Sequence, residues 1–202
     1  YVVGAVSGTL SLTDGWGGGK DAFAVRLDQA GNFRWLHQSA EIGDDVNYSA
    51  ATTPQSELVT AGYTSAASPG DVIGFKTGQG AEDGFVAKYS RSGTRLWAND
   101  HGTADGEIDM SVVVAKNGHI YVAGATEGSW PGFTQMGNGD LYVAHLTPTG
   151  TAFSVRQFGT TEGDANIAFP VGLAMSGSSR LVLGTFTQGT VWGHTMAGAV
   201  DA

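Results

Sequence analysis

The chain has 202 residues, 41% of them hydrophobic, with 19 acidic against 10 basic residues and a formal net charge of −9. This size and composition are typical of a folded protein, and the negative charge repels nucleic acid and anionic membrane surfaces, so we expect neither as a partner. The absence of cysteine excludes disulfides and thiolate chemistry from this sequence. No apolar run reaches the roughly 20 residues that cross a bilayer, so we expect no membrane insertion.

The chain begins with a strand-like stretch that recurs about every sixty residues. A second stretch, which opens on an aspartate, recurs with the same spacing. Such a period is typical of propellers, solenoids and arrays. The first type reads YVVGAVSG from Tyr1, LVTAGYTS from Leu58, IYVAGATEG from Ile120 and LVLGTFTQG from Leu181, and the second covers Asp21–Trp35, Asp83–Trp97 and Asp140–Val155.

Each repeat contains four strand-like runs. The Asp-led run is rich in β-branched and aromatic residues, and a glycine-containing turn separates it from a run with a bulky side chain. A loop of Gly, Asp, Glu and Asn precedes a small apolar run, and a tight turn leads to the fourth. Asn117-Gly118 in one such turn predicts a two-residue hairpin. Helical spacing of apolar residues is nearly absent, so the sequence predicts an all-β protein.

The repeat predicts a β-propeller segment made of three four-stranded antiparallel blades and an orphan N-terminal strand. Propellers close with about four to eight blades, so this would be an incomplete ring. We expect either more chain outside this sequence or self-association to complete it. The predicted segments are the last strand and linker of a preceding blade at 1–16, blades at 17–77, 78–136 and 137–197, and the start of a further blade at 198–202.

The middle repeat carries a family resemblance. Its order is Asp-Gly-Phe-Val-Ala-Lys from Asp83, a turn glycine at Gly93, Leu-Trp ending at Trp97, an acidic loop, and Asn-Gly-His-Ile-Tyr-Val-Ala-Gly-Ala-Thr ending at Thr126. This order resembles the bacterial SBBP β-propeller repeat, and the other repeats fit it across essentially the whole chain. The third departs, since its second run lacks the tryptophan. The resemblance implies a propeller in a secreted or cell-surface protein of bacteria or archaea, and no catalytic residue.

Two sets of recurring residues are predicted to be structural. The aromatic residues keep a fixed phase, which favours packing between blades over sugar stacking. The aspartates at the start of the first run are predicted to accept hydrogen bonds from nearby backbone rather than to bind a ligand. The aromatic set is Phe23, Trp35, Phe85, Trp97 and Tyr142, and the aspartates are Asp21, Asp83 and Asp140.

The acidic loops are the candidate metal site. Oxygen-bearing side chains at every second position in a glycine-containing loop suit a hard cation such as Ca²⁺. The alternative is that Asp, Asn and Gly simply make good turns, and the spacing does not match an EF-hand. The candidate ligands are Asp45 and Asn47 in the first repeat, Asp105, Glu107 and Asp109 in the second, and Glu162, Asp164 and Asn166 in the third.

The sequence predicts a non-catalytic binding or scaffold module whose loop rim engages a protein or a glycan. The recurring residues account for folding, and no GxSxG elbow or other motif indicates a catalytic set. Two alternatives stay open. One is an enzyme, a hydrolase or lyase acting on polysaccharide through the acidic loop residues, and the other is a structural surface or filament subunit.

Overall fold

The computed structural model describes residues 1–10, 17, 19–39, 42–65, 82–151, 153–162, 171–177 and 180–185. These residues form antiparallel strands and no helix, so the all-β prediction is confirmed. The described residues therefore contain no helix that could cross a membrane. The strands are β1 (Val2–Val6), β2 (Asp21–Leu27), β3 (Phe33–Gln38), β4 (Asp45–Thr52), β5 (Leu58–Thr64), β6 (Asp83–Tyr89), β7 (Arg95–His101), β8 (Glu107–Val114), β9 (Ile120–Thr126), β10 (Asp140–Leu146), β11 (Phe153–Phe158), β12 (Gly172–Ser176) and β13 (Arg180–Gly184).

The strands form four separate sheets. The first sheet has the order β1-β2-β3, the second β4-β5-β6-β7, the third β8-β9-β10-β11 and the fourth β12-β13. The described residues thus contain two four-stranded sheets rather than three. The prediction that the N-terminal strand is an orphan is wrong, because β1 pairs along its whole length with β2, from Val2 opposite Val25 to Val6 opposite Asp21.

The sheets divide the repeat at a different place from the predicted blades. The second sheet takes β4 and β5 from the segment 17–77 and β6 and β7 from the segment 78–136. The long connection 65–82 joins hydrogen-bonded neighbours, whereas the short connection 102–106 passes from one sheet to the next. The period of a repeat does not indicate which connection lies within a sheet, and this explains the difference.

Every sheet has two distinct ends, because consecutive antiparallel connections alternate between them. We call one the short-turn end; it holds the turns β2–β3, β4–β5, β6–β7, β8–β9, β10–β11 and β12–β13. We call the other the long-loop end; it holds the remaining connections, including those that pass between sheets.

The turns β2–β3, β6–β7, β8–β9 and β10–β11 at the short-turn end share a hydrogen bond from a glycine N–H to the carbonyl three residues earlier. Gly118 has a φ of 84° and its N–H donates to the Ala115 carbonyl at 2.9 Å, while Ala115 N–H donates to the His119 carbonyl at 2.8 Å. This is a three-residue loop with a left-handed glycine in its last position, so the predicted two-residue hairpin is wrong by one residue. Glycine suits this position because it adopts a positive φ without steric cost.

Bulges in β4 and β8 require glycine on the neighbouring strand. The register shifts between Asn47 and Ser49 in β4, and again between Asp109 and Ser111 in β8. A Cβ atom on Gly62 of β5 would overlap the carbonyl of Val46 in β4. A Cβ atom on Gly124 of β9 would likewise overlap the carbonyl of Ile108 in β8. The bulges therefore depend on close backbone approach.

The sheets pack face to face through contacts that repeat from one boundary to the next. The Ser49 hydroxyl of the second sheet accepts a hydrogen bond from Val112 N–H of the third at 3.1 Å. The Ser111 hydroxyl of the third sheet accepts one from Leu173 N–H of the fourth at 3.0 Å. The largest core cluster lies between the second and third sheets and includes Val86. The same relation thus connects β4 to β8 and β8 to β12.

Candidate functional site

The structure places the predicted metal ligands of the first repeat inside the protein. Asp45 and Asn47 are each 4% exposed at the long-loop end of the second sheet. The Asn47 amide donates to the Phe23 carbonyl of the first sheet at 3.2 Å. Burial raises the pKa of the Asp45 carboxyl, and hydrogen bonds from Thr64 and Ser39 act against that rise. Both side chains thus contribute to the boundary between two sheets.

Glu107 in the second repeat is also buried, and protein groups surround its carboxylate. Its Oε2 accepts a hydrogen bond from Thr103 N–H at 2.6 Å, and its Oε1 accepts one from the Thr103 hydroxyl at 2.7 Å. The Thr126 hydroxyl donates to Oε1 at 2.5 Å. Burial raises the pKa of Glu107, and these three bonds partly oppose the rise. The carboxylate thereby fixes the loop 102–106 to β9.

Asp109 belongs to a buried polar group that spans the second and third sheets. His101, at the end of β7, places its Nε2 atom 3.1 Å from Oδ1 and 3.0 Å from Oδ2 of Asp109. The Tyr142 hydroxyl of β10 donates to Oδ1 of the same carboxylate. None of the three residues is exposed to solvent. We call them the His-Asp-Tyr cluster.

The ionic character of the His-Asp-Tyr cluster is reflected in its pKa values. Burial alone lowers the pKa of His101, but the charge of Asp109 and its hydrogen bond outweigh burial and leave that pKa raised. Burial, together with the Asp109 carboxylate, places the pKa of Tyr142 well above its usual range. The surroundings of the cluster thus favour the protonated form of His101 and the neutral form of Tyr142.

The His-Asp-Tyr cluster replaces a neutral set found one repeat earlier. The strand register makes Asn47 equivalent to Asp109, and Phe85 equivalent to Tyr142, because each pair faces the equivalent glycine, Gly62 or Gly124. The boundary between the first and second sheets therefore carries an amide and a phenyl ring where the next boundary carries a carboxylate and a phenol.

Two further positions change together with the cluster. Ser39 and His101 are equivalent, because each follows the residue that pairs with an equivalent phenylalanine, Phe23 or Phe85. A serine at the first boundary thus corresponds to a histidine at the second. Gly84 occupies the position of Ala22, and a Cβ atom there would lie 2.8 Å from His101 Nε2 and 2.9 Å from the Tyr142 hydroxyl. Sequence analysis missed this cluster; comparison of the repeats with one another at equivalent positions would have indicated it.

The remaining predicted ligands do not join these groups. Asp105 and Glu162 are exposed in their loops, and Asp164 and Asn166 lie outside the described residues. Within the described part of the chain, no three His, Asp or Glu side chains are arranged to hold a metal ion. Glu107 and Asp109 each accept hydrogen bonds from protein groups. Calcium binding by the acidic loops stays a prediction.

The predicted role of the recurring aspartates as acceptors of backbone hydrogen bonds is seen at Asp140. The Asp140 carboxylate accepts hydrogen bonds from Met136 N–H at 3.1 Å and from the Gln157 side-chain amide at 2.7 Å. Asp21 accepts one from the Gln38 side-chain amide at 2.7 Å. These aspartates thus connect the first and second runs of the repeat and hold the loop before the strand.

Charge is divided between the two ends of the sheets. Of the nine Lys and Arg residues that the structure describes, seven lie nearest the short-turn end, and of the 14 described Asp and Glu residues only two do. Both of these acids are paired with cations, Asp28 with Arg34 at 2.7 Å and Glu57 with Lys88 at 2.7 Å. The short-turn cations are Arg26, Arg34, Lys88, Arg91, Arg95, Lys116 and Arg180.

Three of these arginines line an open pocket of about 740 Å³. Arg26 and Arg34 belong to the first sheet and Arg91 to the second, so the pocket lies where the turns 28–32 and 90–94 approach each other. Arg26 Nη1 donates to the Arg91 carbonyl at 2.6 Å, which joins the two turns. We call this the arginine pocket.

Asp28 shapes one wall of the arginine pocket. Its carboxylate accepts hydrogen bonds from the Asn32 side chain and backbone, from Ala30 N–H and from Arg34, which together lower the pKa of Asp28 to about 2. It thus stays ionised over the physiological range and orients Arg34, while Arg26 and Arg91 leave the pocket with net positive charge.

The long-loop end has the opposite character. Burial raises the pKa of Glu82, and the negative charges of Glu127 and Asp44 raise it further, whereas Lys20 lowers it. Lys20 Nζ lies 3.8 Å from Asp44 Oδ2 and is the one described cation at this end besides Arg156 of β11. The protein is thus basic at one end of its sheets and acidic at the other.

Comparison of the sequence with profiles of known protein families and with curated proteins gave no match.

Proposed function

We propose that this chain is a segment of a β-propeller like the SBBP repeat it resembles, and that it serves as a non-catalytic binding or scaffold module on the outside of a bacterial or archaeal cell. In this proposal the four sheets are blades around a common axis. The short-turn end is the rim that contacts the partner, a protein or a glycan that presents anionic groups to the arginine pocket.

The repeated contacts between sheets support the propeller arrangement. The hydrogen bond from Val112 to Ser49 recurs one repeat later as that from Leu173 to Ser111, at 3.1 and 3.0 Å. A contact that recurs with the same partners means that successive sheets are related in the same way. Blades that turn by a constant angle about an axis have this property.

The concentration of cations at the short-turn end is the observation that carries the binding proposal. Seven of nine described cations lie there although the chain has a net charge of −9. Arginine binds carboxylate, sulfate or phosphate groups through paired N–H donors. Arg91 is exposed at the edge of the pocket and Arg34 is already oriented by Asp28, so two guanidinium groups face solvent from one surface.

Anion binding at this rim is tested by titrating the labelled chain with polyglutamate and, separately, with polygalacturonate. We expect one of the two to bind, with an affinity that falls between about 50 and 300 mM NaCl because screening weakens exposed charge pairs. The double variant Arg34→Gln/Arg91→Gln should bind at least about tenfold more weakly, which corresponds to about 1.4 kcal/mol.

The control variant is Lys20→Gln/Arg156→Gln, which removes the same charge outside the short-turn end. It should bind like the unaltered chain. An equal loss of affinity in both double variants would mean that overall charge governs binding, and the proposal of a defined rim site would be wrong. Lack of binding to either polymer at low salt would also contradict it.

A further inference from the structure

Three turns at the short-turn end have the same hydrogen bonds. In each, the N–H of a left-handed glycine donates at 3.0 Å to the carbonyl at the first position of the turn. The glycines are Gly31 (φ 82°), Gly93 (φ 95°) and Gly150 (φ 71°), in the connections β2–β3, β6–β7 and β10–β11. Because the turns are equivalent, differences in their surroundings indicate what each one can receive.

In the second and third sheets, a tryptophan of the preceding sheet covers the glycine. A Cβ atom on Gly93 would lie 2.7 Å from Cγ of Trp35, and one on Gly150 would lie 2.9 Å from Cδ2 of Trp97. Both tryptophans belong to the outermost strand of their sheet, β3 and β7. Each indole ring thus lies directly on the turn of the following sheet.

A basic side chain accompanies each tryptophan. Arg26 donates to the carbonyl of Arg91 at 2.6 Å, and Lys88 donates to the carbonyl of Pro148 at 3.3 Å. Arg91 and Pro148 occupy the second position of their turns, which is Gln29 in the first turn. Each cation lies on the strand next to its tryptophan, with Arg26 opposite Trp35 and Lys88 opposite Trp97.

The equivalent position on the first sheet is not covered by any residue that the structure describes. Among these residues, no atom lies within 4 Å of a Cβ atom built on Gly31. On the same face, Leu27 is 39% exposed, although its equivalents Tyr89 and Leu146 are 4% and 1% exposed beneath the preceding sheet. Phe33, which pairs with Leu27, is 63% exposed. We call this surface the Gly31 face.

We propose that the Gly31 face is a docking surface for a protein partner that presents an antiparallel β-sheet with a tryptophan on its outermost strand and an arginine or lysine on the next strand. The indole ring would cover Gly31 and bury Leu27 and Phe33. The cation would donate to the Gln29 carbonyl. This inference depends on the two filled counterparts within the chain. Leu27 and Gln29 also line the arginine pocket, so a neutral tryptophan probe is needed to test the Gly31 face apart from anion binding.

The test uses two probes against the ¹⁵N-labelled 202-residue chain. The first is N-acetyl-tryptophanamide, compared with N-acetyl-leucinamide. The second is a backbone-cyclised hairpin with the sequence 22–37, which carries Arg26 and Trp35, compared with the same hairpin carrying Trp35→Leu. The hairpins are first checked for strand pairing by their own NMR spectra.

We expect the tryptophan probes to shift the amides of Gly31, Leu27 and Phe33 in a saturable manner, and the leucine probes to shift them several-fold less. Gly177, a second exposed turn glycine with a positive φ, serves as the internal control and should not shift. In the protein, Phe33→Lys changes an already exposed side chain and should weaken hairpin binding at least about fivefold with no loss of fold.

Equal shifts with tryptophan and leucine probes would overturn the proposal, as would shifts at Gly177 equal to those at Gly31 or no shift with either tryptophan probe. Concentration-dependent shifts of Gly31 in the chain alone would also overturn it, because they would assign the face to a second copy of the chain.

Discussion

Nε2 of His101 lies 3.0 Å from Oδ2 of Asp109, across the boundary between the second and third sheets, and neither side chain reaches solvent. The equivalent residues one repeat earlier, Ser39, Asn47 and Phe85, carry no charge. An ion pair removed from water is costly unless both partners are present and further bonded. Tyr142 supplies the further hydrogen bond, so the cluster stabilises the boundary as a unit.

Removal of one member of the cluster should therefore lower the free energy of unfolding more than replacement of all three. Asp109→Asn leaves a buried imidazole without its counter-charge and should lower the free energy of unfolding by about 3–5 kcal/mol. The triple variant His101→Ser/Asp109→Asn/Tyr142→Phe introduces the neutral set of the preceding boundary. It should lose less stability than Asp109→Asn. Urea denaturation measures both. A triple variant less stable than Asp109→Asn would contradict this account of the cluster.

Stability should fall as pH rises above neutrality. His101 has a raised pKa in the folded state, so its contribution is complete below the unfolded value of 6.5 and is lost as pH rises through the folded pKa. Glu107 acts in the same direction, since burial raises the pKa of this acid above its usual 4.5 and ionisation disfavours the folded state. The charged groups facing His101 are Asp100, Glu107 and Asp109.

The measurement is the free energy of unfolding at about pH 5.5, 7 and 8.5. The unaltered chain should be least stable at the highest pH, and His101→Ser should have a flatter profile above pH 6.5. A stability that increases from neutral to alkaline pH in the unaltered chain would be the opposite of the expected result.

Trp97 should be a major packing residue. It is 6% exposed and lies on Gly150 of the third sheet, which agrees with the prediction that the recurring aromatics pack between units. Trp97→Ala should cost about 3–5 kcal/mol of stability. Phe33→Ala is the matched control, because Phe33 is 63% exposed and its loss should change stability by about 0.5 kcal/mol or less. Equal effects of the two substitutions would show that the indole does not hold the sheets together.

The glycine of the fourth run should tolerate alanine only where no bulge approaches it. Gly124→Ala would drive a methyl group into the Ile108 carbonyl and should cost about 3 kcal/mol. Gly184 has the place of Ala123, the residue before Gly124, because Gly172 pairs with Gly184 as Ser111 pairs with Ala123. Among the described residues, a Cβ atom on Gly184 would meet nothing closer than the Gly172 carbonyl at 4.0 Å. Gly184→Ala should be neutral or nearly so in thermal denaturation. A similar loss at both positions would argue against the bulge in β8.

Sequence analysis could predict the strands but not how they group into sheets. AFAVRL alternates and is rich in β-formers, and it lies within β2 as expected. The predicted boundary between the blades 17–77 and 78–136 falls within the connection 65–82, yet β5 and β6 on either side are hydrogen-bonded. Pairing across a long connection depends on the packing of whole sheets, which local propensity does not contain.

The candidate site could be predicted only in part, for a similar reason. Alternating Asp105, Glu107 and Asp109 indicated an oxygen-rich loop, but strand pleat turns alternate residues to one face, and the bulge then directs Asp109 toward His101 and Tyr142. Tyr142 is 33 residues away in sequence, so only the folded sheet brings these groups together. The arginine pocket also needs two turns from different sheets.

The most direct test of the account measures distances between equivalent turns by electron spin resonance. The chain has no cysteine, so spin labels can be placed in pairs at Ala30, Ser92 and Thr149, which are exposed and occupy the same turn position in the first three sheets. Sheets that turn about a common axis predict equal Ala30–Ser92 and Ser92–Thr149 distances, with an Ala30–Thr149 distance clearly shorter than their sum. An Ala30–Thr149 distance equal to that sum would mean a linear array and would contradict the propeller.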